Sequence, residues 1–168
     1  MLDTPLGPLI AAAREDGLCL LEYTRPERLE PQLETLRRAF RCDVIPGESP
    51  HLTHVRDELA AYFAGSLSRF TVPLVVAGTR FQERVWGALL RIPYGQTCSY
   101  EELSRTVGAA GAQRAVGHAN GRNRIAIVIP CHRVINKSGK LGGYGGELWR
   151  KEALLRLEGG RGLLDFEG

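Results

Sequence analysis

Residues 125–135 have the sequence Ile-Ala-Ile-Val-Ile-Pro-Cys-His-Arg-Val-Ile, which joins an apolar run to two chemically reactive side chains. The five apolar residues at 125–129 are too few for a helix and show no polar alternation, so they predict a fully buried strand. Pro130 ends that strand and is followed by Cys131 and His132. A cysteine fixed at the end of a buried strand, with an imidazole next to it, has the parts of an activated thiolate nucleophile.

The residues alone leave two interpretations of Cys131 open. In one, Cys131 is simply a small buried hydrophobic side chain. In the other, it is a nucleophile activated by His132. Adjacent residues on extended backbone point to opposite sides, so His132 can act on Cys131 only if the chain turns there or a water connects them. A carboxylate would then orient the imidazole. Glu158, near the end of a helix predicted over 147–157, is a suitable candidate.

Two short helices joined by a glycine-containing turn are predicted upstream of this stretch. Ser99 and Glu102 form a capping box that starts the first helix, and Gly108 ends it. The second helix runs over 112–120, and an apolar face within 81–90 predicts a further helix before the pair. The pair has the outline of a helix-turn-helix.

The second helix of the pair has an unusual surface. Ala112, Ala115, Gly117 and Ala119 are small, and Arg114 is its main long cationic side chain. A helix with so few large side chains could slide against the minor groove of DNA. It could also pack closely on a neighbouring helix, and the segment alone favours this second interpretation.

The first half of the chain predicts a smaller α/β unit. Apolar runs over 6–13 and 18–23 flank Asp16-Gly17 and predict a hairpin. The other elements predicted here are a helix from Pro26 to Phe40, a short strand around 42–45, a helix from Ser49-Pro50 to Gly65, and a strand or extended connection over 70–76. Gly78 marks the boundary between a first lobe over 1–77 and a second over 78–168.

The composition is that of an ordinary globular protein. The chain has 168 residues, of which 43% are hydrophobic and 24% charged, and a formal net charge of +3. This mildly basic balance permits a nucleic-acid partner without requiring one. Because no apolar run is long enough to span a bilayer and the N-terminus lacks the features of a signal peptide, we expect a cytoplasmic protein with no membrane partner.

The cysteines and histidines give no strong sign of a metal site. The four cysteines lack paired spacing, which argues against a disulfide framework and a Cys-x-x-Cys site. Cys42, His51 and His54 come closest to a ligand set, but two histidines three residues apart on a helix more often belong to a solvated face. We therefore expect neither a metal nor a cofactor.

The chain resembles the O6-alkylguanine-DNA alkyltransferases, also called methylated-DNA-protein-cysteine methyltransferases. Residues 129–135 are similar to the family's active-site signature, 114–117 to its DNA-facing helix, and Asn123 falls at its hinge asparagine. Further similar segments are Phe81-Gln82, Val85-Trp86, Ile92-Pro93-Tyr94-Gly95, Thr97-Cys98-Ser99-Tyr100 and 154–159. The likeness is specific over about 70–159 and weaker before that.

The resemblance implies a fold and a function. It implies an α/β, ribonuclease-H-like first lobe without catalytic duty, and a mostly α second lobe with the helix-turn-helix and the chemistry. It implies DNA repair by a single, irreversible transfer of the alkyl group from O6 of guanine to Cys131, after base flipping. O4 of thymine is left open as a second donor. The implied partner is double-stranded DNA containing O6-alkylguanine, bound by a monomer, with binding of several molecules side by side left open.

The resemblance also implies a role for each matching residue. Cys131 accepts the alkyl group, His132 takes the thiol proton through a water, and Glu158 holds the imidazole. Tyr100 donates a proton or hydrogen bond to the departing base. The remaining implied residues are Arg114, Ala112, Ala115, Gly117 and Ser99 against DNA, Asn123 as a structural hinge, and Tyr144, Gly145 and Val134 in the substrate pocket.

Two residues depart from the family pattern, and two other functions fit the residues. Arg124 stands where many relatives have proline, and Gly145 where some place a serine hydroxyl near O6. A helix-turn-helix regulator with an inert cysteine is one alternative. A cysteine hydrolase using Cys131, His132 and Glu158 is the other. Turnover separates the three functions: none for the regulator, one for the alkyltransferase, many for the hydrolase.

Overall fold

A computed structural model of the chain describes residues 1–159, which fall into two compact units. The first unit comprises Met1–Ala77 together with Arg124–Ala126. The second comprises Gly78–Asn123 and the described residues from Ile127 onward. Within residues 1–159, no helix combines the length and the hydrophobicity that crossing a membrane requires.

The first unit is a hairpin covered by two helices, as the sequence predicts. Its elements are β1 (Leu9–Arg14), β2 (Gly17–Tyr23), α1 (Pro26–Phe40) and α2 (Pro50–Phe63). The two strands pair antiparallel, and every residue of β2 is buried. Gly17 is required at the turn, because a Cβ there would lie 2.6 Å from the carbonyl oxygen of Pro73. Ser49 caps α2 by accepting a hydrogen bond from the His51 amide at 3.2 Å.

The prediction of a short strand around 42–45 is wrong. These residues form no regular element, and Ile45 is 78% exposed. A strand needs a partner for its backbone hydrogen bonds, and no described segment pairs with this one. Of the strand and the extended connection that the sequence leaves open over 70–76, the structure has the extended connection: Leu18 donates to the Pro73 carbonyl at 2.8 Å and accepts from the Val75 amide at 2.9 Å.

The second unit is mainly helical. Its elements are α3 (Arg80–Leu89), β3 (Cys98–Ser99), α4 (Tyr100–Thr106), α5 (Gln113–Gly121), a 3-10 turn (Cys131–Arg133), β4 (Val134–Ile135) and α6 (Leu148–Glu158). Both predicted ends of α4 are close to those found, and the capping box of Ser99 and Glu102 is present. α5 packs against both α3 and α4, and Trp86 of α3 donates to the Ala119 carbonyl at 2.9 Å. β3 and β4 pair in parallel.

The prediction of a strand over 125–129 is also wrong, although the predicted burial is found. All five residues are buried, as the apolar run predicts, but only Ile125 makes a β-bridge, to Leu21. Ile127 has a φ of 70°, which interrupts the extended backbone. An apolar run in the sequence indicates that a segment is buried but not which conformation it has. An irregular buried segment therefore looks the same as a strand.

Candidate active site

The reactive pair lies in a tight turn. Cys131, His132 and Arg133 form one turn of 3-10 helix, closed by the Arg133 amide donating to the Pro130 carbonyl at 3.0 Å. Cys131 is 6% exposed and His132 is completely buried. The chain therefore turns at the point where the sequence required either a turn or a bridging water for His132 to act on Cys131.

Glu158 binds the two residues that follow the cysteine. Its Oε1 lies 2.8 Å from Nε2 of His132. Arg133 donates to the same carboxylate twice, from Nε to Oε2 at 2.8 Å and from Nη2 to Oε1 at 2.9 Å. The Gly95 amide adds a bond to Oε2 at 3.2 Å. Glu158 is the last residue of α6, so this helix holds the active-site turn in place.

Burial and the charges of this cluster determine the protonation state and the tautomer of His132. Burial raises the pKa of Glu158, but the hydrogen bonds from His132 and Arg133 outweigh burial and lower it to about 2. Burial lowers the pKa of His132 despite the opposing effect of Glu158. The imidazole is thus neutral at neutral pH, with its Nε2 proton facing the carboxylate. Its Nδ1, which finds no hydrogen-bond partner in residues 1–159, carries the lone pair of a base.

Two buried asparagine amides hold the cysteine. Asn123 donates from Nδ2 to the Ile129 carbonyl at 2.8 Å and to Sγ of Cys131 at 3.2 Å. Asn120, in α5, donates to the Cys131 carbonyl at 3.4 Å. A hydrogen bond to sulfur favours its charged form, so Asn123 both braces the chain before the turn and supports a thiolate. Asn120 was missed, because an asparagine in a small-residue helix carries no chemical signal of its own.

Tyr100 starts α4 and packs against glycines. A Cβ on Gly142 would lie 2.8 Å from the Tyr100 hydroxyl, and a Cβ on Gly117 would lie 3.7 Å from the ring. Burial, and then the negative charge of a Cys131 thiolate, raise the pKa of Tyr100. Its hydroxyl therefore keeps its proton at neutral pH and is available as a hydrogen-bond donor.

Lys151 is a buried cation that sequence reasoning missed. It is completely buried in α6, and its Nζ donates to the carbonyls of Val134 at 2.6 Å and Gly142 at 3.3 Å. Burial lowers its pKa to about 8, while a Cys131 thiolate acts in the opposite direction. The ammonium thus favours negative charge on Cys131. Its spacing from Leu154 and Glu158 on one helix face could have revealed it.

The residues implied to line the pocket differ in accessibility. Val134 is completely buried, and its carbonyl serves Lys151. Tyr144 and Gly145 are half-buried, in the segment between β4 and α6. The Ser99 hydroxyl is committed to the helix cap, since it donates to the Glu102 carboxylate at 2.7 Å and accepts from the Glu102 amide at 3.1 Å.

α5 has one buried face and one exposed face, and of the two roles that its small residues allow, the structure shows the close packing on neighbouring helices. Val116 and Ala119 are buried on the side that packs against α3 and α4. Arg114 and Ala115 are exposed, and Ala112 and Gly117 are partly exposed. Beyond this helix, the guanidinium of Arg124 donates to the Ala77 carbonyl, within the first unit.

The histidines considered as metal ligands have other partners. His51 bonds to the Glu15 carbonyl at 3.0 Å, and His54 to the Thr71 hydroxyl at 3.0 Å. Over residues 1–159, no three or more histidine, cysteine or acidic side chains cluster in a way that could hold a metal ion.

Comparisons with known proteins cover nearly the whole chain. Residues 1–76 match the model for the 6-O-methylguanine DNA methyltransferase ribonuclease-like domain, and residues 80–160 the model for the DNA binding domain of the same proteins. The chain is 50% identical over 165 residues to a methylated-DNA–protein-cysteine methyltransferase of Mycobacterium tuberculosis, covering 98% of this chain and 94% of the relative. A protein of that name from Methanosarcina acetivorans is 42% identical over 166 residues, covering 95% and 96%.

A solved structure shares the fold. The crystal structure of Mycobacterium tuberculosis OGT in complex with DNA matches with a TM-score of 0.81 and 46% identity, covering 98% of this chain and 97% of that one. The similarity therefore extends over both units.

Proposed function

This chain belongs to the 6-O-methylguanine DNA methyltransferase family, and from that membership we propose how its residues carry out the reaction. Its function is DNA repair by transfer of a methyl group from DNA to a protein cysteine. We propose Cys131 as that cysteine and O6 of guanine as the methyl donor. The observation that carries this proposal is the setting of Cys131. Its Sγ accepts a hydrogen bond from the Asn123 side-chain amide, and the next residue, His132, is buried and paired with Glu158.

The transfer is a single displacement at carbon. Nδ1 of His132 accepts the thiol proton through a water, and Glu158 stabilises the imidazolium that forms. Sγ of Cys131 then forms a bond to the methyl carbon as the bond from that carbon to O6 breaks. The electron pair of the broken bond stays on guanine, which takes up a proton or hydrogen bond from the Tyr100 hydroxyl. A thioether is a poor leaving group, so each molecule reacts once.

The second lobe, over 78–168, would also bind the duplex. α4 and α5 form a helix-turn-helix in which the exposed face of α5 lies in the minor groove. Ala112, Ala115 and Gly117 let the helix approach closely, and Arg114 fills the gap that the flipped guanine leaves. Ser99 is the weakest of the proposed DNA contacts, because its hydroxyl already serves the helix cap. The first lobe, over 1–77, has no catalytic duty in this proposal.

The remaining pocket residues complete the proposal. Asn123 is the structural hinge between α5 and the active-site turn, through its bond to the Ile129 carbonyl. Tyr144 and Gly145 line the pocket, and because Gly145 has no hydroxyl, any contact to O6 at this position comes from the backbone. Val134 contributes through its backbone, which positions Lys151.

The two alternative functions are not favoured. The relatives are named for methyl transfer to a protein cysteine, which supports neither a regulator with an inert cysteine nor a hydrolase. A hydrolase would leave the exposed small-residue face of α5 and Arg114 without a role.

Intact mass tests the assignment directly. The protein is incubated with duplex DNA carrying one O6-methylguanine, and its mass and peptides are measured. We expect a stoichiometric gain of one methyl group on the peptide that contains Cys131. No gain, repeated turnover, or a methyl group on another cysteine would contradict the proposal.

His132 and Glu158 are expected to act as one unit. His132→Ala and Glu158→Gln each interrupt the same proton path, so the double variant should react little more slowly than the slower single variant. Single-turnover rates of the three variants measure this coupling. Losses that multiply would show that the two side chains act independently.

Arg133 is expected to position Glu158. Arg133→Lys replaces a two-pronged donor by a single charge, which should raise the pKa of Glu158 and slow transfer by about tenfold. Because the pKa of Glu158 is lowered in the fold, its ionisation stabilises the protein above about pH 4.5, and this contribution is lost as the pH falls towards 2. Acid unfolding should therefore begin at higher pH in the variant. Unchanged acid unfolding would remove Arg133 from this role.

A further inference from the structure

Three charged side chains meet on the surface next to Tyr100. Oε2 of Glu101 lies 2.9 Å from Nζ of Lys137, and Oε1 of Glu101 pairs with Arg105. The side chains of Lys137 and Arg105 are 80% and 64% exposed. The hydrogen bond from Lys137, and then the charge of Arg105, lower the pKa of Glu101, so its carboxylate is ionised at neutral pH. One carboxylate thus serves two exposed cations.

The cluster borders the surface proposed to bind DNA. Glu101 directly follows Tyr100 at the start of α4, and α4 packs against α5, which carries Arg114. Lys137 lies in a tight turn over 136–140, in which the Asn136 amide donates to the Lys140 carbonyl at 3.0 Å. That turn leads from β4 to Gly142, which lies against Tyr100. The three charges therefore lie at the rim of the site and not on a remote face.

Stability explains Glu101 only in part, because an acidic residue in the first turn of α4 and its pair with Arg105 four residues later each stabilise the helix weakly. The start of α4 is already capped by Ser99 and Glu102, whose carboxylate accepts the Ser99 amide at 2.8 Å. The Glu101 carboxylate makes only its two contacts with exposed cations within the described residues. Ion pairs between exposed side chains contribute little to folding, because solvent screens them and the side chains lose freedom.

We propose that Glu101 limits the affinity of the protein for DNA by neutralising Lys137 and Arg105, which exchange its carboxylate for backbone phosphates when a duplex binds. This inference rests on the proposed function. Both cations must leave Glu101 as the phosphates arrive, and the carboxylate is then left facing negative charge. Each effect weakens binding to any duplex, damaged or not. Glu101 thereby shortens the time that the protein spends on undamaged DNA.

The test compares two matched charge removals. Glu101→Gln keeps the shape of the side chain and removes its charge. Glu34→Gln is the control, since Glu34 also pairs with two arginines, Arg37 and Arg38, but on α1 of the first unit. We expect Glu101→Gln to bind an undamaged duplex about tenfold more tightly at low salt, and Glu34→Gln to bind within about twofold of the parent.

Lys137 supplies the second measurement. Adding Lys137→Ala to Glu101→Gln should reverse much of the gain and reduce the slope of log affinity against log salt by about 0.9, the value for one lost phosphate contact. An unchanged affinity in Glu101→Gln, an equal gain in Glu34→Gln, or an unchanged salt slope on removing Lys137 would each overturn the inference. Methyl gain on Cys131 is measured in parallel. Its absence contradicts the proposed function, whereas normal gain without the affinity changes contradicts only this inference.

Discussion

We expect the replacement of Cys131 by serine to abolish methyl transfer from O6-methylguanine in duplex DNA and to leave duplex binding intact. A serine hydroxyl is far less ionised than a thiol at neutral pH, and the Asn123 amide and the Lys151 ammonium cannot compensate for that difference. We expect the transfer rate to fall by more than about a thousandfold. Single-turnover transfer, followed by intact mass, measures the loss, and a mobility shift with undamaged duplex measures binding separately.

Cys98→Ser is the matched control for this variant. Cys98 is half-buried, its thiol donates to the Ser99 carbonyl at 3.3 Å, and burial raises its pKa. It is therefore a poor nucleophile, and its replacement should leave transfer near the parent rate. Methyl gain by Cys131→Ser, or loss of transfer in Cys98→Ser, would point to a different acceptor.

The parts of the fold that depend on local chemistry could be predicted from the sequence. The capping box of Ser99 and Glu102 needs only residues three apart, and it forms as expected with bonds of 2.8 Å and 3.1 Å. The hairpin follows from Asp16-Gly17 between two apolar runs, and its strands pair as expected. In each case the residues that determine the conformation are close together in the sequence.

The segment over 125–129 shows where this local reasoning ends. Its burial could be predicted, but its conformation depends on which groups accept its backbone hydrogen bonds. Leu21 donates to the Arg124 carbonyl and accepts from the Ala126 amide, each at 2.8 Å, and the φ of 70° at Ile127 then ends the extended course. None of these partners is adjacent in sequence, so no periodicity could reveal them.

Some residues of the candidate site could likewise be predicted from the sequence, and others could not. The pairing of His132 with Glu158 followed from chemical need, because an imidazole acting as a base requires a group that orients it. Arg133 and Lys151 were missed because their roles depend on burial: each is a cation removed from water that must find acceptors in the fold. The helical spacing of Lys151 from Leu154 and Glu158 is a local signal of its burial, but the acceptors of both cations are shown only by the packing of α6 on the active-site turn.

Arg114 offers the sharpest test of base flipping. It lies exposed in the first turn of α5. If its side chain enters the stack as the guanine leaves, it offsets the unstacking and unpairing of the duplex, which cost a few kcal/mol. A base that is not in a duplex carries no such cost. Arg114→Ala should therefore slow repair in duplex DNA by about a hundredfold, and leave reaction with free O6-benzylguanine near the parent rate.

Lysine at this position separates insertion from simple phosphate contact. Arg114→Lys restores the charge but not the planar guanidinium that stacks between bases, so insertion predicts only partial recovery. A phosphate contact predicts that lysine substitutes well, and that a higher protein concentration overcomes the defect of Arg114→Ala. The deciding measurement is the single-turnover rate of both variants at saturating duplex. Parent-like rates at saturation would remove Arg114 from the flipping step, because an unstacking defect persists after every duplex is bound.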